Sequence, residues 1–235
     1  MLSEKSWKPD AVLCLLIGLF ACMSLGMLAM SLISPGSREA RLLQFLVSSV
    51  GVQGGWLVVV IFFVREHGLG WAAAFGFASP RLGRTLLLAV LVMAVSLPLA
   101  WVLGDLAARV LHSVNVEPVT QHTVQAVQSS GDLNERIIYG AVIILLAPVV
   151  EELVFRGILY PAIKQRGFPR LALWGTSLLF ALMHANAMTF LPLTFLAVVL
   201  VLLYEATDNL LAPILTHSLF NAVNFLFLVN SDKLS

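Results

Sequence analysis

The chain has 235 residues, 59% hydrophobic and only 11% charged, with a mean hydropathy of +0.93. Soluble domains carry about 25% charged residues, so this composition belongs in a bilayer. A net charge of +1 without a long basic run gives no footing for nucleic acid. The two cysteines, Cys14 and Cys22, are too few for a disulfide framework or a metal knuckle, and read as small apolar packing residues.

Lys5 and Lys8 precede an apolar run from Ala11 to Ile33. The run exceeds a signal-peptide core of about 7 to 15 residues, so it reads as a first transmembrane helix, ended by Ser34-Pro35-Gly36. A second helix is expected over Leu42–Val64, where Gly51, Gly54 and Gly55 offer close approach to a neighbour. A third covers Leu82–Leu103, kinked at Pro98. The connection from Asp105 to Arg136 is the longest polar stretch and contains Pro118 and Gly131-Asp132. Its scattered valines and leucines suggest short amphipathic pieces at the interface. Four further helices follow, over Ile137–Gln165, Arg170–Ala185, Met188–Glu205 and Asn209–Val229.

The expected architecture is all-α: a polytopic membrane helix bundle of about seven transmembrane helices in a single domain, residues 1–235. Residues 1–136 supply the N-terminal helices and polar connection, and 137–229 the core helices. With seven spans, Lys5, Lys8, Arg65, Arg81, Arg84, Lys164, Arg166 and Arg170 collect on one side. Arg38, Arg41, Arg109, Arg136 and Lys233 collect on the other. That asymmetry favours a cytoplasmic N-terminus.

Three polar islands interrupt the core helices. The first is Glu151-Glu152-Leu153-Val154-Phe155-Arg156, inside a run that is otherwise apolar from Ile137 to Ile158. Each ionised residue near a membrane-helix centre costs roughly 2.5 to 3.5 kcal/mol on an insertion scale. Glu152 and Arg156 lie four apart and can pair. Glu151 points about 100° away and has no local partner. The second island is His184 in Phe180-Ala181-Leu182-Met183-His184. The third is His217 and Asn221 on one helical face, continued by Asn224.

Each island alone has a plain packing explanation, since buried ion pairs and His or Asn contacts also hold membrane helices together. As a set they suit hydrolysis by activated water. Glu151 is the candidate general base, and His184 can share its water. His217 and Asn221 present donors for an oxyanion, while Glu152 and Arg156 support the first helix. No GxSxG and no HExxH helix competes.

The order Glu-Glu-x-x-x-Arg, Phe-x-x-x-His, His-x-x-x-Asn resembles the CPBP family, the CAAX-protease and bacteriocin-processing enzymes also called Abi proteins. The resemblance covers Ile137 to Phe225. It implies that Glu151 and His184 activate the attacking water, that His217 and Asn221 stabilise the oxyanion, and that Glu152 and Arg156 are supporting positions. It further implies an intramembrane endopeptidase of the kind that trims prenylated CAAX proteins in eukaryotes. Its partners would be membrane lipid and a lipidated or membrane-inserted peptide. As a compact bacterial-type member, the chain would sit in the inner membrane.

The expectation is a glutamate-activated water with no obligatory metal. The alternative is a divalent metal such as zinc on Glu151, His184 and His217. Two other function classes stand beside the protease. One is a non-catalytic membrane binding, immunity or regulatory protein on the same scaffold. The other is a small transporter, which the lack of internal repeats disfavours.

Overall fold

A computed structural model describes residues 2–5, 7–34, 36–77, 82–117, 122–128, 130 and 132–231. Pro35, Arg81, Pro118, Gly131 and Lys233 lie outside the described residues. The chain forms α1 (Pro9–Ser31), α2 (Arg38–Glu66), α3 (Trp71–Phe75), α4 (Leu82–Ser113), α5 (His122–Gln128), α6 (Leu133–Lys164), α7 (Pro169–Met183), α8 (Ala187–Thr207) and α9 (Leu211–Ser231). Six of these are long and apolar enough to cross a membrane. They expose large apolar side chains such as Phe20, Met27, Phe62 and Phe227 on their outer faces, where lipid is the natural solvent.

The helix expected over Arg170–Ala185 is short. With 15 residues, α7 reaches about 22 Å at 1.5 Å per residue, against a hydrocarbon core of about 30 Å. It therefore ends within the bundle, and His184 is its C-cap residue. Helix α4 runs on to Ser113, ten residues past the expected end at Leu103. Asp105 and Arg109 carry it there as an i,i+4 pair at 2.8 Å.

Helix α8 packs against α4 and α7, and α9 against α4. The main core lies where α1, α2, α6 and α8 meet, around Val60, Val150, Ile158 and Tyr204. Helix starts are capped by short polar side chains. Ser37 accepts from the Ala40 N–H, Asp132 from Asn134 and Asn186 from Thr189. Arg38 then bonds the buried Glu135 at 2.8 Å, joining the starts of α2 and α6.

Prolines shape α6. Its α-helical centre, Ala147–Glu152, sits between two π-helical stretches, Val142–Leu146 and Leu153–Leu159, as often seen at functional sites. Pro148 and Pro161 lack the N–H that a helix needs. The Gly157 carbonyl, four residues before Pro161, instead accepts from the Trp7 indole at 3.1 Å. The N-terminal segment is further held by Ser3 on Asp208 and by the Lys5 N–H on Gln165. One end of the bundle thus gathers the N-terminus, the 165–168 turn and the α8–α9 turn.

Among the three glycines expected to admit a neighbour, only Gly55 does so. A Cβ there would lie 2.8 Å from Cys22 Sγ, whereas Gly54 faces open space and Gly51 meets only the Leu46 carbonyl. Cys22 packs as expected, but Cys14 is exposed on the outer face of α1 rather than packed.

Gly76 is the tightest backbone contact. Its φ is +76°, and a Cβ would sit 2.1 Å from the Asp208 carbonyl oxygen. Beside it, the Leu210 N–H donates to the Phe75 carbonyl at 2.9 Å, docking α3 on the α8–α9 turn. Gly76→Ala is therefore expected to cost at least about 1–3 kcal/mol. Gly54→Ala should stay within about 0.5 kcal/mol of wild type. Thermal unfolding of the two purified variants in detergent checks this contrast.

Candidate active site

Glu152 is completely buried, and its Oε1 accepts two charged or polar donors. Arg156 Nη1 lies 2.8 Å away and His217 Nδ1 2.9 Å away. Arg156, 1% exposed, spends its Nη2 on the Ala197 carbonyl of α8 at 3.2 Å. The expected Glu152–Arg156 pair is present, and it also binds a third helix and orients the site histidine. A carboxylate oxygen only accepts, so His217 Nδ1 carries a proton here. Its Nε2 is thereby turned toward Glu151, 4.0 Å from Oε2.

Glu151 has no partner on its own helix, in line with its expected direction. Among the described residues its one hydrogen bond comes from α2, where Gln53 Nε2 donates to Oε1 at 3.2 Å. No local pattern in the sequence singles out Gln53 among the glycines around it. Its signal was that of an amide side chain inside an apolar span.

His184 Nδ1 lies 2.8 Å from the Phe180 carbonyl. A carbonyl cannot donate, so Nδ1–H points at it and Nε2 is left with an acceptor lone pair. Asn221 donates through Nδ2 to the Ile143 carbonyl at 2.9 Å. Ile143 lies in the π-helical stretch, and its i+5 neighbour is Pro148, which has no N–H to give. Asn221 fills that vacancy and keeps its second amide hydrogen. Asn224, one turn on, accepts from the Trp101 indole at 2.9 Å.

Phe180 ties these groups together. Its ring lies 4.6 Å from the Arg156 guanidinium carbon, 4.9 Å from the His184 ring and 5.8 Å from the His217 ring. The contact with Arg156 is a cation–π interaction in a site from which water is excluded.

Two cavities meet at this cluster. The first, about 610 Å³, is lined by Gln53, Trp101, Glu151, His184, His217 and Asn221 among others. The second, about 710 Å³, also touches Gln53, Glu151 and His184, and extends along Met23, Met27 and Met30 of α1. Both volumes fall in the range of about 300–1,000 Å³ seen for ligand pockets. Glu151, His184, His217 and Asn221 thus share one cavity wall, and Glu152 and Arg156 lie behind it. Among the described residues no three His, Cys, Asp or Glu side chains gather as a group that could hold a metal.

Residues 133–223 match the family model described as Rce1-like, type II CAAX prenyl endopeptidase Rce1-like. No curated protein and no solved structure matches the chain. The matched stretch opens at the start of α6 and closes just after Asn221, so it contains all three polar islands. In this stretch the chain, an integral multi-pass membrane protein, is similar to the CAAX-type intramembrane proteases.

Proposed function

We propose that the chain hydrolyses a peptide bond of a lipidated or membrane-inserted substrate with a water activated by Glu151 and His184. The observation that carries this reading is the contrast between two adjacent carboxylates. Glu152 is enclosed and engaged by two donors, whereas Glu151 faces both cavities with one amide donor. Only the second is placed to take a proton from bound water.

In the reaction, His184 Nε2 and Glu151 hold the water. Glu151 accepts one of its protons as the oxygen bonds to the carbonyl carbon. The resulting oxyanion lies against the second Nδ2 hydrogen of Asn221 and His217 Nε2–H. For His217 to donate there its ring must be an imidazolium, since Nδ1–H already faces Glu152. With that ring charged, Glu151, Glu152, Arg156 and His217 sum to zero, which suits a buried cluster. The C–N bond then breaks, and the proton held by Glu151 passes to the departing amine. A carboxylic acid and an amine result.

Substrate entry from the bilayer follows from the apolar cavity lining and from the lack of any soluble domain among the described residues. The Lys and Arg asymmetry supports a cytoplasmic N-terminus.

The test is a terminal-peptide survey of membranes from cells carrying wild type or Glu151→Gln at matched expression. New termini that depend on Glu151 are expected, and identical profiles would leave a binding role in place of proteolysis. Asn221→Ala should reduce turnover by about 10²- to 10³-fold, the usual effect of losing one oxyanion donor.

The charge cluster makes a separate prediction. Arg156→Met strands a buried carboxylate and should cost roughly 3–5 kcal/mol of stability. The double variant Glu152→Met with Arg156→Met should recover much of that loss in thermal unfolding. It should remain inactive, because His217 has lost its anchor.

A further inference from the structure

Gln53 is bonded at one end of its amide only. Its Nε2 donates to Glu151 Oε1 at 3.2 Å, and its Oε1 is buried with no hydrogen-bond partner. The orientation of the amide is set by chemistry, because a carboxylate accepts and the nitrogen must face it. The orphan oxygen is therefore a fixed acceptor, and leaving a buried acceptor unmade is costly. Natural proteins keep few such groups, and each calls for an explanation, a catalytic role among them.

Its place in the fold says which partner. Gln53 lies two residues past the π-helical stretch Leu46–Gly51 of α2. With Ser49, one turn earlier, it lines both cavities at their junction beside Glu151. Any extended chain that runs from one cavity into the other passes this side chain. The donor that every peptide carries, whatever its side chains, is a main-chain N–H. Gln53 also lies outside the matched stretch 133–223, so the N-terminal helices would complete the site rather than merely enclose it.

We propose that Gln53 is a substrate-positioning residue: its Nε2 steadies Glu151 while its Oε1 accepts a main-chain N–H of the bound peptide beside the scissile bond. This rests on the proteolytic reading above. One amide would then set the distance between base and substrate, so that peptide and Glu151 are aligned by the same group.

The experiment uses a synthetic peptide spanning a Glu151-dependent terminus found by the survey, with each amide flanking the cut N-methylated in turn. The purified full chain and Gln53→Met are compared in proteoliposomes. Wild type should lose about tenfold or more in kcat/KM when one particular amide is methylated, as expected for a lost buried hydrogen bond. Gln53→Met should lose about tenfold on the unmodified peptide, and its further penalty at that amide should fall below about threefold. A lower active fraction of the variant cancels in this ratio, so a folding defect cannot imitate the result. Gln53→Glu keeps an acceptor oxygen but sets a carboxylate against Glu151. It should be slower still, yet retain the methylation penalty.

Undiminished kcat/KM in Gln53→Met, or the same methylation penalty in both proteins, would overturn the proposal while leaving the proteolysis intact. A survey without Glu151-dependent termini removes the proteolytic reading and this role together.

Discussion

The interaction on which the rest depends is the pair of hydrogen bonds to Glu152 Oε1. Arg156 and His217 reach the same oxygen at 2.8 and 2.9 Å from two different helices, α6 and α9. The other end of the guanidinium continues to Ala197 of α8. Three core helices are thus fixed to one buried carboxylate. In hydrocarbon the loss of either partner of such a group is strongly destabilising. Any relative shift of α6, α8 or α9 would expose an uncompensated charge. The same constraint gives the His217 ring its direction, so the arrangement that holds the bundle also aims a functional side chain.

Backbone irregularity does related work. The α-helical turn bearing both glutamates is bounded by two wide π-helical stretches, each adjacent to a proline. Every carbonyl that these interruptions release needs a donor from elsewhere, because lipid has none to give. Trp7 serves Gly157 and Asn221 serves Ile143. The second case is instructive. Asn221, which we propose donates to an oxyanion, is held by its other hydrogen to a carbonyl that Pro148 cannot satisfy. Its orientation is a consequence of helix geometry rather than of contact with any ligand.

Much of this was legible in the residues. Helical periodicity and apolar length placed the long helices, and spacing alone predicted the Glu152–Arg156 pair and the free direction of Glu151. What was not legible has physical reasons. A π-helical turn has no compositional signature beyond nearby prolines, so its register could not be read. Gln53 is eloquent only once α2 packs on α6, since a lone amide in an apolar span has many uses. The bond from His217 to Glu152 joins positions 65 apart in the chain. No local pattern distinguishes it from a bond to Glu151 next door. The extension of α4 to Ser113 rested on an exposed ion pair that its polar residues disguised as a connection.

The neighbouring glutamates show how one helical turn can provide both scaffold and reactive group. Adjacent residues on a helix differ in direction by about 100°, enough to send Glu152 into the core and Glu151 to a cavity wall. Enclosure with two donors leaves the inner carboxylate nothing to exchange with water or substrate. The outer one keeps one donor and an open face where the two cavities join. Carboxylates of identical chemistry take separate roles because their surroundings differ. A six-residue α-helical segment between two wider ones holds that difference in place, since a one-residue slip in register in either direction would turn Glu151 into the core, to the place of Val150 or of Glu152.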